Sequence, residues 1–263
     1  MDDDRVSVAE RAARAGGEVA LEAFRTGIDV EVKSGKTDVV TQADRDAQRR
    51  VIEVIRETHP EDAIVGEEED ELKTVPEAGA AWVIDPIDGT NNFVRDTPVW
   101  ATSVAAVKDG ETLAAANVMP ALGDVYVAGD DGVTLNGDPV SVSTNTEPET
   151  FAVVPTIWWE FDRRDEYAAA CRAIVDRFAD LRRYGCAQAV LSMVASGQLE
   201  AAITNVTVNP WDSVAGVHLV REAGGVVTDV HGDEWEPGCD GLVASNGQAH
   251  DVVLDAAREI RPD

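Results

Sequence analysis

An apolar run that ends in acids is the feature of this chain hardest to satisfy in a fold. Ala81-Trp82-Val83-Ile84 runs directly into Asp85-Pro86-Ile87-Asp88-Gly89-Thr90-Asn91-Asn92-Phe93. The apolar residues read as a buried strand, and an unpaired carboxylate at its end is costly away from water. Pro86 stiffens the turn, and the spacing of Asp85 and Asp88 lets both carboxylates face one point. Gly89-Thr90 then reads as a helix start, whose free N–H groups and positive dipole end suit an anion. A hard divalent cation takes such an all-oxygen setting, and Mg²⁺ commonly bridges carboxylates to a phosphate. The bland alternative is an Asp-capped turn.

Two other acidic groups are ordinary when taken alone. Gly66-Glu67-Glu68-Glu69-Asp70 follows the strand-like Ala63–Val65 and would by itself be a solvated loop. Asn209-Pro210-Trp211-Asp212-Ser213-Val214-Ala215-Gly216 opens a helical stretch that runs to Glu222-Ala223-Gly224-Gly225. There Asp212 alone is a natural N-cap and Trp211 alone a core residue. Lys33, Asp38, Thr41 and Asp44 in isolation make a polar strand-to-helix connection. The force lies in the combination and its order.

Charge limits the partners. Fifty Asp and Glu against 22 Lys and Arg leave a formal charge of −28. That field repels nucleic acids and anionic membranes. It also repels a phosphate ester, so a site for one needs cations that reverse the local sign. Only Lys33, Lys36, Lys73 and Lys108 are lysines, and the acids are spread along the chain. Such a Lys-poor acidic surface suits a salt-rich, halophilic interior where salt screens the repulsion. Cys171, Cys186 and Cys239 are widely spaced and form no CxxC pair, so neither a disulfide framework nor a zinc knuckle is expected. No run approaches the roughly 18 apolar residues that span a bilayer, and the first residues lack the pattern of a secretory signal. A cytoplasmic protein is expected.

With 263 residues and 44% apolar content, the chain can bury a sizeable core. Helical spacing is read over Val6–Phe24, Gln42–Glu57, Asp165–Ala179, Ala187–Ser196, Trp211–Ala223 and about Gln248–Glu259. Strands are expected at Ile28–Lys33, Asp62–Val65, Ala81–Ile84, Trp100–Val107, Thr112–Val118, Val125–Ala128, Phe151–Pro155, Leu181–Tyr184, Glu200–Thr204 and Leu242–Ala244. The pattern suggests an α+β half, residues 1–145, carrying most of the acids of interest, and an α/β half, residues 146–263, carrying Asp212 and the substrate-side segment.

The motifs taken together resemble the inositol monophosphatase family, which includes archaeal fructose-1,6-bisphosphatases and related lithium-sensitive phosphatases. Asp85 to Phe93 matches its DPxDGTxNF signature without a mismatch. Trp211 to Gly216 with Glu222 to Gly225 matches WDxxAG followed by EAGG, Gly66-Glu67-Glu68 fits GEE, and Lys33 with Asp38 to Asp44 fits K…DxVTxxD. The resemblance spans roughly Glu10 to Gly247. It implies a layered α/β/α/β/α sandwich, two or three Mg²⁺ ions, and hydrolysis of a phosphomonoester by metal-activated water. Glu67, Asp85 and the carbonyl of Ile87 would ligate a first ion. Asp85, Asp88 and Asp212 would hold a second, and Asp44 with Glu67 a weaker third. Thr90 and Asp44, with Glu67 at hand, would orient and deprotonate the water, and the amides of Gly89 and Thr90 would hold phosphate oxygens. Asp88, Cys186, Ala187 and Asp212 would face the substrate, while Lys33 and Glu68 support the site. A homodimer is also implied.

Substrate choice is less defined. Where the family has G-[ST]-A-A, this chain reads Gly185-Cys186-Ala187-Gln188, with Cys186 for a hydroxyl residue and Gln188 for an alanine. The acid with which inositol-specific members grip ring hydroxyls is replaced by Thr204 or Asn205. Inositol 1-phosphate leads on family analogy. Arg163, Arg164, Arg182 and Arg183 would favour fructose 1,6-bisphosphate if they reached a second phosphate, and are otherwise surface charges. 3'-Phosphoadenosine 5'-phosphate and histidinol phosphate are further alternatives, as is a regulatory relative without activity.

Overall fold

The apolar run before Asp85 extends in the computed structural model into the strand Ala80–Asp88. The structure describes residues 3–27, 30–32, 39–69, 71–129 and 131–260. Strand pairing with Ala101–Lys108 continues past the apolar residues to Asp88, which explains the extra length. Side chains alternate along it: Ala81 and Val83 join one core cluster, Trp82 and Ile84 another. Both faces are therefore buried, which is why the sequence shows a continuous apolar run rather than an alternation.

The strand belongs to a seven-stranded sheet ordered Ala63–Gly66, Ala80–Asp88, Ala101–Lys108, Glu111–Met119, Asp124–Gly129, Gly132–Leu135 and Asp138–Val140. Its first pair is parallel and the others antiparallel. A second sheet of five runs Asp180–Leu181, Ala152–Pro155, Ala201–Thr204, Leu242–Ser245, Val226–Thr228. Helices Asp3–Ala23 and Gln42–Arg56 pack together on the outer face of the large sheet. Ala187–Ala195 and Pro210–Glu222 lie between the sheets, and Arg164–Val175 with His250–Arg258 cover the far face of the smaller one. The result is the expected five-layer α/β/α/β/α sandwich. Its central layer accounts for the apolar character of Pro210–Glu222, in which every residue from Ser213 to Val220 is buried.

Two local expectations are revised. The helix read from Gly89-Thr90 is a single turn, Thr90–Phe93. The strand expected at Leu181–Tyr184 is only Asp180–Leu181, the two residues that pair with Ala152 and Val153. Of the expected strand Ile28–Lys33, Val30–Val32 is a strand paired with Val39–Thr41, and the rest lies outside the described residues.

Candidate active site

Residues three apart on a regular strand point to opposite faces. The pairing of Ala80–Asp88 slips between Asp85 and Asp88, and this irregularity re-aims Asp88 toward the side of Asp85. Thr102 Oγ1 donates to the Pro86 carbonyl at 2.7 Å, and the Ile87 N–H donates to Asp85 Oδ1 at 3.1 Å, so the bulge is held from both sides. Asp212 arrives from the first turn of Pro210–Glu222. Asp85, Asp88 and Asp212 thereby bring one carboxylate oxygen each within 4.8 Å of one another.

Such a cluster is unfavourable on its own. Asp85 Oδ2 is buried and has no hydrogen-bond partner among the described residues. Burial, then the negative charges of Glu67, Asp88, Asp212 and Asp44, push the Asp85 carboxyl well above the usual carboxylate range. Burial also lifts Asp88, to about 6, although the Cys186 thiol and the N–H groups of Gln188 and Ala187 favour its charged form. An orphaned buried oxygen among converging acids fits a hard divalent cation, which would supply the missing positive charge.

The other expected residues gather around this cluster to differing degrees. Gly89 adopts φ 86°, and a Cβ there would lie 3.0 Å from Cys186 Cβ and 3.2 Å from the Gly185 carbonyl, so only glycine fits. Thr90 Oγ1 is 3.0 Å from the Ile87 carbonyl and 3.4 Å from Asp44 Oδ1. Glu67 lines the same cavity as Asp88 and Asp212. Glu68 is instead buried, its backbone clamped by Gln48 through bonds of 2.7 and 3.0 Å. Cys186 donates to Asp88 Oδ2 at 3.0 Å while its sulfur caps the Ala187–Ala195 helix. Burial, then the Asp88 charge, pushes the Cys186 thiol far up, so it stays protonated and is no nucleophile. Lys33 and Asp38 lie outside the described residues.

The cavity measures about 790 Å³. Glu67, Asp88, Thr90, Asp212, Cys186 and Ala187 line it, as do Lys73, Arg95, Trp158 and Arg183. Lys73 is a contributor that sequence reasoning passed over. Its ammonium donates to the carbonyls of Gly66, Glu67 and Glu69 at 2.8 to 3.2 Å and sits 5.7 Å from the Trp211 ring, tying the Glu67 loop to the helix of Asp212. Nothing in the spacing of a lone lysine signals this. The four candidate arginines part ways. Arg163 pairs with Glu166 and Arg182 with Asp180, while Arg164 stacks between Trp158 and Phe161. Only Arg183 of the four lines the cavity, its Nη2 donating to the Ile157 carbonyl at 2.8 Å. Thr204 and Asn205 are buried and do not line it.

A model of the inositol monophosphatase family matches residues 1–261. The chain belongs to the inositol monophosphatase family. A fructose-1,6-bisphosphatase/inositol-1-monophosphatase of Thermotoga maritima is 31% identical over 258 residues, covering 98% of this chain and 97% of that protein. The Nus factor SuhB of Escherichia coli K12 is 32% identical over 260 residues, covering 97% and 96%. Among solved structures, the Thermotoga maritima IMPase superposes with TM-score 0.88 at 31% identity, covering 99% of this chain and 98% of its own. The inositol monophosphatase of Anabaena gives 0.83 at 28%, covering 98% and 96%. Family membership and the carboxylate cluster place the chain among divalent-cation-dependent phosphomonoesterases. Among the described residues, no helix is long and apolar enough to cross a membrane.

Proposed function

We propose that this member of the inositol monophosphatase family is a Mg²⁺-dependent phosphatase of small polyol phosphates, with inositol 1-phosphate as the leading substrate. The observation that carries the reading is the convergence of Asp85, Asp88 and Asp212 around a buried oxygen unpartnered among the described residues, beside a cavity that reaches Thr90. Glu67, Asp85 and the Ile87 carbonyl would hold one Mg²⁺. Asp85, Asp88 and Asp212 would hold another, and Asp44 with Glu67 a third. Bound there, Mg²⁺ supplies Lewis-acid activation of water and neutralises charge on the phosphoryl group.

The protein groups do the positioning. The amides of Gly89 and Thr90 receive phosphate oxygens, while Cys186 and Ala187 border the polyol. Thr90 Oγ1 orients the attacking water, and Asp44 Oδ1 takes its proton. Glu68 supports the neighbouring loop, and family likeness gives Lys33 a supporting role. Because water is the nucleophile, no side chain forms a covalent intermediate. A regulatory relative without turnover would have no need of this complete set of acids. The acidic, Lys-poor surface supports a salt-rich cytoplasm as the setting, and family likeness supports a homodimer.

A second reading, a sugar bisphosphate such as fructose 1,6-bisphosphate, is favoured by Arg183. Its guanidinium lines the cavity and its described hydrogen bond goes to a carbonyl, which leaves its charge for a second anion. The deciding experiment measures phosphate release with Mg²⁺ from inositol 1-phosphate, fructose 1,6-bisphosphate, histidinol phosphate and 3'-phosphoadenosine 5'-phosphate. Inositol 1-phosphate with the highest kcat/KM supports the first reading. Preference for the fructose ester, lost in Arg183→Ala, supports the second, and no release from any ester defeats both.

A further inference from the structure

Three like charges drawn from both halves of the chain must be held apart by the protein at a set distance. Asp85 and Asp88 come from the Ala80–Asp88 strand, Asp212 from the helix Pro210–Glu222. Gln188 touches both sources. Gln188 is fully buried at the second position of the Ala187–Ala195 helix. Its backbone N–H donates to Asp88 Oδ2 at 2.5 Å, and its side-chain Nε2 donates to the carbonyl of Trp211, the residue before Asp212, at 2.6 Å. Its Oε1 accepts from Asn117 Nδ2 at 2.9 Å, which fixes the amide's orientation from the large sheet.

The surrounding packing is built for this glutamine. Gly216 lets the two helices of the central layer approach, since a Cβ there would come within 2.5 Å of Leu191 and 2.8 Å of Gln188 Oε1. Ser192 Oγ donates to the Gln188 carbonyl at 2.8 Å and accepts from Asn117 at 3.0 Å, bracing the amide from behind. A buried amide so fully engaged is a rigid spacer: moving it leaves polar groups unpaired. In the family pattern this position is an alanine, which could make the bond to Asp88 but not the one to Trp211.

We infer that Gln188 is a positioning residue that sets the separation of Asp88 and Asp212, and through it the affinity for the divalent cation. The inference rests on the metal-phosphatase reading. Gln188 touches no reacting atom, so its loss acts on the cation concentration the enzyme needs and little on turnover once the site is filled.

The test is calorimetric titration of chelator-treated protein with Mn²⁺ alone, in wild type, Gln188→Met, Ser192→Ala and Asp85→Asn. Gln188→Met keeps the volume and removes both side-chain hydrogen bonds, while Ser192→Ala disturbs the same buried network without touching the Trp211 tie. Gln188→Met is expected to weaken Mn²⁺ binding by about tenfold, the low end for groups that orient metal ligands. Its kcat at saturating Mn²⁺ should stay within about twofold, and Ser192→Ala should bind like wild type. Circular dichroism with chelator verifies folding, and if Gln188→Met does not fold, Gln188→Ala is measured against the same expectation. A folded Gln188 variant that binds Mn²⁺ as tightly as wild type overturns the inference, as does an equal loss in Ser192→Ala. Wild type that binds no Mn²⁺, or Asp85→Asn that binds it undiminished, overturns the metal reading as well.

Discussion

Thr90 Oγ1 lies 3.4 Å from Asp44 Oδ1, on a carboxylate whose other oxygen is taken by the N–H and hydroxyl of Thr41 at 2.8 and 2.6 Å. Thr41 and Asp44 form the capping box of the Gln42–Arg56 helix, so the geometry that starts a helix would also aim the proposed base. Asp44→Asn should therefore keep the fold while kcat falls roughly 100- to 10,000-fold, the range for a lost acid–base group. Thr90→Ala should fall similarly and Thr90→Ser much less. Steady-state phosphate release decides it, and near-normal turnover in Asp44→Asn would remove Asp44 from the chemistry.

Asp85→Asn replaces a buried carboxyl whose Oδ2 has no hydrogen-bond partner among the described residues. The folded protein without metal should be no less stable than wild type. Phosphate release should drop by at least about 1,000-fold, corresponding to the several kcal/mol a metal site contributes. Thermal melting in chelator and a phosphate assay test the two halves separately. Unchanged turnover would overturn the assignment of Asp85 as a ligand.

Protons and a bound metal would compete at Asp88. Its carboxyl is raised to about 6 in the folded protein, above the ordinary value of 3.8. A raised folded value means the group contributes stability that is present below the unfolded value and lost as pH rises through the folded one. Metal-free protein should thus lose stability between about pH 4 and pH 6 relative to Asp88→Asn. Mg²⁺ affinity should fall as pH drops below 6, by up to about tenfold per pH unit for one displaced proton. Calorimetry in buffers of different ionisation enthalpy would register the released proton, and pH-independent binding would contradict the scheme.

His218 should act in the opposite direction. Burial, with a smaller push from Arg221, lowers its imidazole to about 4, and its Nε2 is buried without a hydrogen-bond partner among the described residues. The unfolded chain takes up the proton first as pH falls, so stability is lost from about pH 6.5 down to about pH 4. Relative to His218→Met, wild type should lose about 3 kcal/mol across that window. Urea denaturation at several pH values measures the difference, and parallel curves would mean the folded imidazole takes up its proton as readily as the unfolded one.

A net charge of −28 predicts a strong salt response. Raising KCl from about 0.1 to 1 M shortens the screening length from about 10 to 3 Å. The melting temperature should rise over that range, and a flat response would count against the salt-rich setting.

What the sequence made legible were features whose cause is local. The apolar run before Asp85, the helix spacing of Gln42–Arg56 and the signatures around Asp88 and Asp212 each carry their meaning in neighbouring residues. The slip between Asp85 and Asp88 was not legible, because it arises from pairing with a strand that comes later. Lys73 and Arg183 were equally opaque as individuals, since a lone cation's partners are set by tertiary proximity. Arg163 and Arg182 read the same way in sequence, yet fold against Glu166 and Asp180. The departure at Gln188 was visible as a letter, but its bond to Trp211 needed two helices side by side.

The cavity joins surfaces of unlike construction. Asp88, Thr90 and Asp212 stand on elements wedged into the layered core, whereas Ile157, Trp158 and Arg183 belong to connecting segments near the smaller sheet's edge. Mutation can remodel those segments without disturbing the acids. One hydrolytic engine could in that way be refitted to successive esters over evolutionary time, its catalytic half left standing.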